Sequence, residues 1–332
     1  MAVYRELGRE QAAELGAAFG VEVKGFEPIA AGSVNSNYRL ELAGGKRAFA
    51  RIYEEQDRAG AEGEAQLVDH LARHGVPTPR PFQRADGLGG FIWLLPGGAD
   101  GRPASQGRPV AMFPWFEGES VCQARVTVDV AARIGGELAR VHLAGASYPV
   151  ARPGRFGTTD LRVRLEQIAS SPKADLAAMA GPIRRELERV ESARDPALPR
   201  GVIHGDLFRD NVLWKDGRPV ALLDFESASQ GVLLYDLMVA VLAWCYGSDL
   251  EAPLVRAMLA GYKGVRPLSE GELAQLAVEA KLAALRFTIT RITDYAMRNG
   301  LGSRVMKDWR RFWARYLRIC ELGNATLVRL YG

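Results

Sequence analysis

The stretch Gly201–Asp236 reads GVIHGDLFRDNVLWKDGRPVALLDFESASQGVLLYD. Its apolar runs VIH, VLW and ALLD are short and bounded by Gly, Asp and Asn, the pattern of brief strands joined by turns. On these runs sit His204-Gly205-Asp206, Asn211 five residues beyond that aspartate, and Asp224 thirteen further on. Phosphoryl transfer from a nucleoside triphosphate is mostly positioning and charge stabilisation. It needs a carboxylate beside the attacking hydroxyl and oxygen ligands that hold a metal ion on the phosphates. Asp206 meets the first need. Asn211 and Asp224 meet the second, because one amide carbonyl and one carboxylate offer Mg²⁺ hard oxygens while leaving most of its charge for the phosphates.

Taken singly, each residue has a plainer role. A buried aspartate caps a helix or pairs with a cation, and a histidine after an apolar run packs in a core. The ordered set is more specific. His204-Gly205-Asp206-Leu207, then Asn211, then Asp224-Phe225-Glu226 follows the protein-kinase signature H-R-D-L-x-x-x-N and D-F-G. Only twelve positions separate Asp224 from Asp236, and no APE-type motif follows. Protein kinases use a longer segment there to dock a peptide, so a small-molecule acceptor is expected.

Outward from this stretch the chain divides in two. Gly8–Gly20 carries alanine and leucine at helical spacing. VEVKGFEPIAAG, NSNYRLELAGG and KRAFARIYE then alternate apolar and polar residues as antiparallel strands do. AGAEGEAQLVDHLARHG is an amphipathic helix stopped by Gly75, and FIWLL and RPVAMFPWFEG resume the strand pattern. From about Thr127 the periods turn helical: TVDVAARIGGELARVHLAG, DLRVRLEQIAS, a charged helix around Pro182–Ala193, and long helical patterns from Leu233 to the end. Two lobes of opposite character, joined by an extended segment near Phe113–Gly118, are expected to form a cleft.

Composition limits the functional classes. Of 332 residues, 48% are hydrophobic and 25% charged, which suits a globular chain able to bury a sizeable core. The net charge of +4 comes from interleaved signs, without the basic stripe a nucleic-acid footprint needs. Cys122, Cys245 and Cys320 form no metal-ligand spacing, and no apolar run approaches a membrane span or a signal-peptide core. A cytoplasmic protein binding neither nucleic acid nor membrane is expected; oligomeric state is not readable.

The chain resembles the aminoglycoside phosphotransferase and choline kinase group of kinase-like folds over nearly its whole length. The runs GSVNSNYRL, GVIHGDLFRDNVL, LLDFESA, YDLMVAVLAWC, GYKGVRPLSEGEL and ALRFTITRITDY are similar to the kinase-like homoserine kinases within that group. The resemblance implies an α+β, bilobal, protein-kinase-like fold. A small antiparallel-sheet N-lobe, residues 1–115, would bind the nucleotide, and a mostly helical C-lobe, residues 116–332, would carry catalysis and the acceptor. ATP and Mg²⁺ are implied, with Asp206 as catalytic base and Asn211 and Asp224 on the metal. L-Homoserine would become O-phosphohomoserine, a step of threonine biosynthesis. Asp236 would brace the catalytic loop, and His142 would pack near it.

In the N-lobe the resemblance puts Arg51 where protein kinases carry a phosphate-binding lysine, with Glu64 as its partner. The guanidinium fork differs from an ammonium. The glycine-rich loop is reduced to Gly32 with Ser33, Asn35 and Asn37; Ser33, Asn35 and Phe113 join Arg51 and Glu64 as nucleotide contacts. Homoserine is a zwitterion, so its pocket needs a cation and an anion. Arg286, Thr290 and Asp294 recur at intervals of four on one helix, with Arg291 adjacent. They supply both charges, unless Arg291 and Asp294 pair with each other on a solvated face. Glu226 and His204 complete the expected acceptor contacts. A kinase for another small alcohol, such as choline or an aminoglycoside, is the alternative. A non-catalytic nucleotide-binding module is a third reading, against which Asp206, Asn211 and Asp224 all stand.

Overall fold

The architecture comes from a computed structural model that describes residues 6–30, 34–96, 107–150, 154, 156–297 and 307–332. The chain forms two compact units, Met1–Glu117 and Gly118–Gly332.

The first unit opens with helix α1 (Arg9–Ala18) and builds one antiparallel sheet from β1 (Val23–Ile29), β2 (Ser36–Leu42), β3 (Arg47–Ile52), β4 (Trp93–Leu95) and β5 (Arg108–Pro114), in the order β1-β2-β3-β5-β4. Alternation sets the register: Tyr38 faces Ala50 and Leu40 faces Ala48, and these buried residues join Leu15, Ile52, Leu95 and Met112 in the core. Helix α2 (Arg58–Arg73) begins where the Asp57 carboxylate accepts the Gly60 N–H at 2.8 Å. It ends before Gly75, whose φ of +83° turns the chain. The fourth strand is shorter than FIWLL suggested.

The second unit is mostly helical. Its helices are α3 (Val128–Gly145), α4 (Thr158–Ala169), α5 (Ala174–Ala193), α6 (Leu233–Trp244), α7 (Ala252–Lys263), α8 (Glu270–Ala274), α9 (Leu276–Arg291) and α10 (Arg310–Tyr331). Between α5 and α6 lie two small antiparallel pairs, β6 (Arg200–Ile203) with β9 (Ser229–Val232), and β7 (Val212–Lys215) with β8 (Arg218–Leu222). Three features differ from the sequence expectation. Helix α5 starts eight residues before Pro182 and runs through it, because Leu176, Ala180, Ile183, Leu187 and Val190 bury one continuous stripe. Strand β9 is additional; Ser-Gln-Gly-Val has no apolar alternation to mark it. Third, α9 opens at its C-terminal end into a π turn, Ile292–Ala296, closed by Met297 N–H on Ile292 C=O at 2.9 Å.

Helices α3 and α7 approach through glycines. A methyl group on Gly135 would overlap the Met258 carbonyl, and one on Gly261 the Ala132 carbonyl. Helix α6 is apolar all round and buried, which makes it the centre of this unit. Among the described residues no helix is long and apolar enough to cross a membrane.

Candidate active site

Strand β6 delivers the His204-Gly205-Asp206 loop, and α6 holds it from beneath. Asp236, in the first turn of α6, is buried, and its carboxylate accepts the backbone N–H of His204 at 2.7 Å and of Gly205 at 2.8 Å. Gly205 has φ +75°, and a Cβ there would press on the Ser227 carbonyl at 2.9 Å, so glycine is required. Burial pushes the Asp236 carboxyl up. The hydrogen bonds from His142 and from the Gly205 amide outweigh it and hold the group below the usual carboxylate range.

A buried chain of hydrogen bonds continues behind Asp236. His142 Nε2 lies 3.1 Å from its Oδ2, and His142 Nδ1 lies 2.7 Å from the Tyr262 hydroxyl. Arg266 Nη1 reaches that hydroxyl at 3.2 Å and Glu272 at 2.9 Å. An arginine can only donate, so the tyrosine oxygen accepts from Arg266 and gives its one proton to His142 Nδ1. The network therefore assigns the His142 proton to Nε2, donated to Asp236. Similarly, His204 Nδ1 accepts the Asp206 N–H at 3.3 Å, which leaves Nε2 to donate to the Leu223 carbonyl at 3.0 Å. His204 has no exposed surface and both ring nitrogens bind backbone. In this position it shapes the loop.

The three residues with which the sequence analysis began converge. The Asn211 amide nitrogen donates to the Asp206 carbonyl at 2.8 Å, which orients the amide oxygen as the free ligand atom. The Leu223 N–H donates to the Asn211 carbonyl at 2.8 Å, tying Asn211 to the residue before Asp224. Asp224 adopts φ +65°, ψ +67°, a left-handed conformation that aspartate and asparagine tolerate better than most residues. Phe225 fills the core beneath, its ring 4.5 Å from that of His204. An oxygen-only donor set with one carboxylate and one amide suits a hard divalent cation shared with phosphates.

Beside Asp206, Arg286 places Nη1 3.5 Å from Oδ1 while only 4% exposed. Its guanidinium lies between the rings of Phe156 at 4.1 Å and Phe287 at 3.8 Å. Thr290 turns its hydroxyl back to the Arg286 carbonyl at 3.0 Å. The Arg291–Asp294 pairing does not form. Asp294 meets Arg164 Nη1 at 2.6 Å, whereas Arg291 lies over Phe312 at 4.4 Å and donates to the Asp308 carbonyl at 3.1 Å. The α-helical phase ends at Arg291, and Asp294, in the π turn, pairs with an arginine that shares the Phe156 ring with Arg286. Glu226 is partly buried in the turn after Asp224. The sequence reading missed Arg164, Tyr262 and Arg266, although Tyr262 and Arg266 stand four apart in GYKGVR.

In the first unit, Arg51 on β3 and Glu64 on α2 approach to 3.5 Å, and Gln56 donates to the same carboxylate at 3.0 Å. The buried Asn35 accepts the Glu54 N–H at 3.2 Å. Phe113, on β5, is buried with its ring 6.2 Å from that of Phe49. Gly32 and Ser33 lie outside the described residues.

Comparison with known proteins gives a consistent picture. The family model described as "Phosphotransferase enzyme family" matches residues 25–272. A homoserine kinase of Chelativorans sp. (strain BNC1) is 33% identical over 89% of this chain and 88% of its own length. A homoserine kinase of Rhodopseudomonas palustris (strain BisA53) is 32% identical over 100% and 98%. Among solved structures, an amicoumacin kinase in complex with AMP-PNP and Ca²⁺ superposes with a TM-score of 0.66 at 16% identity, over 96% of this chain and 94% of that one. A spectinomycin phosphotransferase in complex with ADP and spectinomycin gives 0.64 at 14%, over 98% of each.

Proposed function

Since this chain belongs to the phosphotransferase enzyme family and to the homoserine kinases within it, we propose that Asp206, Asn211 and Asp224 carry transfer of the ATP γ-phosphoryl group to the side-chain hydroxyl of L-homoserine. The products are ADP and O-phosphohomoserine. Asp206 accepts the hydroxyl proton as that oxygen bonds to the γ-phosphorus and the β–γ bridging bond breaks. Asn211 and Asp224 would hold a divalent cation, taken to be Mg²⁺, which neutralises phosphate charge. In the first unit, Arg51, steered by Glu64, contributes a cation for phosphate oxygens, and Ser33, Asn35 and Phe113 contribute to nucleotide binding.

The observation that carries the acceptor assignment is the Arg286 guanidinium beside the Asp206 carboxylate. It sets positive charge next to the base, where a zwitterion brings its own carboxylate. Arg291 is the second cation and Glu226 the ammonium acceptor, since Asp294 is already neutralised by Arg164. We further place the reaction in the reducing cytoplasm, in keeping with three free thiols.

A panel of alcohols with ADP release as readout tests this. Homoserine should exceed choline and aminoglycosides in kcat/KM by at least about tenfold, roughly 1.4 kcal/mol of transition-state binding. Choline leaves the binding cation unpaired, and an aminoglycoside brings further positive charge toward it. A panel in which choline or an aminoglycoside wins would refute the acceptor, and silence on every alcohol would refute the kinase.

A further inference from the structure

Next to the acceptor residues lies more positive charge than one carboxylate requires. Phe312 packs on Phe287, 4.8 Å between centroids, and 6.0 Å from Phe208. Two guanidiniums rest on that same ring, Arg291 at 4.4 Å and Arg315 at 4.3 Å, and Arg315 also reaches Tyr246 at 4.8 Å. Arg311, exposed, and Arg209, which donates to Gln123 Oε1 at 2.6 Å and to the Ala243 carbonyl, also act on Arg315 as like charges.

Little neutralises them. Among the described residues no carboxylate lies within 4.0 Å of Arg291, Arg311 or Arg315. The Nε atoms of Arg291 and Arg315 are buried without a hydrogen-bond partner. The nearest acids on these elements are engaged elsewhere, Asp210 with Lys307 and Asp308 with Arg310. Residues 298–306, RNGLGSRVM, contain no Asp or Glu. Burial first, and the like charges of Arg291, Arg209 and Arg311 after it, push the Arg315 guanidinium down to about 9. Burial likewise lowers Arg291 to about 10, against the opposing pull of Asp206.

Guanidiniums gathered on one ring, with two Nε atoms buried and unpartnered and no carboxylate among them, repel one another, and native structures keep such a cluster where something else completes it. We propose that Arg291 and Arg315, stacked on Phe312 with Arg209 and Arg311 beside them, form a binding site for one small oxyanion, a carboxylate or a phosphate. Planar guanidiniums on an aromatic ring present their N–H edges outward, the geometry that matches such an anion. The occupant is either the acceptor's own carboxylate, which rests on the function proposed above, or a separate small anion.

The test compares the full chain with Arg315→Met and Arg291→Met, and with Arg162→Met as a control in the Arg162–Glu191 surface pair. Thermal unfolding is followed in sodium phosphate and in sodium chloride at equal ionic strength. Phosphate should raise the wild-type midpoint saturably, by several degrees over chloride. The two cluster variants should start at or above the wild type in chloride, because a repelling charge is gone, and should lose the phosphate increment. Calorimetric titration with inorganic phosphate should show binding weakened by about tenfold or more in each. The control should follow the wild type in both measurements. An unchanged increment in both cluster variants, or no increment over chloride in the wild type, overturns the site.

A kinetic arm identifies the occupant. With the acceptor's carboxylate there, Arg315→Met raises the KM for homoserine but not for its alcohol analogue homoserinol, and phosphate competes with homoserine. With a separate anion, the homoserine KM holds and phosphate does not compete. Either result supports the site. Failure of the wild type to use homoserine would refute the proposed reaction and leave the phosphate measurements standing.

Discussion

Asp206 differs from the other acids of its loop in what surrounds it. Its carbonyl is taken by Asn211, its N–H by His204, and its carboxylate faces Arg286 while remaining partly exposed. Asp206→Asn should therefore fold normally, keep the KM for ATP within about twofold, and lose about 10²- to 10⁴-fold in kcat, since an amide cannot take the proton. Initial rates of ADP release measure this, and turnover near wild type would remove Asp206 from the base role. At Asp224 the backbone dictates the choice of variant. Asn tolerates φ +65° about as well as Asp, so Asp224→Asn isolates the charge. The Mg²⁺ concentration for half-maximal rate should rise at least about tenfold, with an unchanged circular dichroism spectrum. These positions were legible in sequence because loop and turn fix them at short, regular spacing. Arg315 was not, because what singles it out is a ring three residues away on which an arginine from α9 also rests.

Elements were legible where one local rule governed them and hidden where tertiary packing overrode it. The alternation in β2 and β3 and the Gly75 stop of α2 could be read directly. The run of α5 through Pro182, the strand β9 and the π turn after α9 answer to neighbours distant in sequence. Helix α7 shows both effects. Its Gly261 makes the close approach to α3 possible, and Gly261→Ala should destabilise the chain by about 1–3 kcal/mol through overpacking, read from the denaturation midpoint. Tyr262, one residue on, connects α7 to the catalytic loop. Tyr262→Phe removes the donor that assigns the His142 proton, and should cost about 1–3 kcal/mol of stability. It should also lower kcat with little change in either KM, and alter the acid limb of the kcat–pH profile. A variant destabilised but normal in that profile would make the hydroxyl a packing feature only.

The whole molecule divides near residue 117, into a sheet-rich and a helix-rich unit, and this contrast was the most legible feature of all, since it rests on periods summed over a hundred residues. Stability as a function of pH is also a property of this scale. The Asp236 carboxyl sits below its ordinary 3.8 in the folded chain, so the unfolded chain binds the extra proton as pH falls. Its contribution is complete above that value and is lost as pH drops through the folded value. Chemical denaturation from about pH 5 to pH 2 should show stability falling less steeply in Asp236→Asn than in the wild type, although the variant is weaker at pH 7. Equal slopes would mean that other carboxylates govern the acid limb.

The π turn at Ile292–Ala296 has a consequence for how this chain can change by length. A turn closed from residue 297 to residue 292 holds one residue more than an α-helical turn. Removing one residue there would return the turn to α-helical bonding at little cost in backbone hydrogen bonds, and the residues of the turn itself would change their facing. The Arg164–Asp294 pair would be broken or re-aimed. A single-codon deletion, nearly invisible in composition and conservative in fold, is thus a small inheritable step by which a relative of this chain could lose the Arg164–Asp294 pair while keeping its helices.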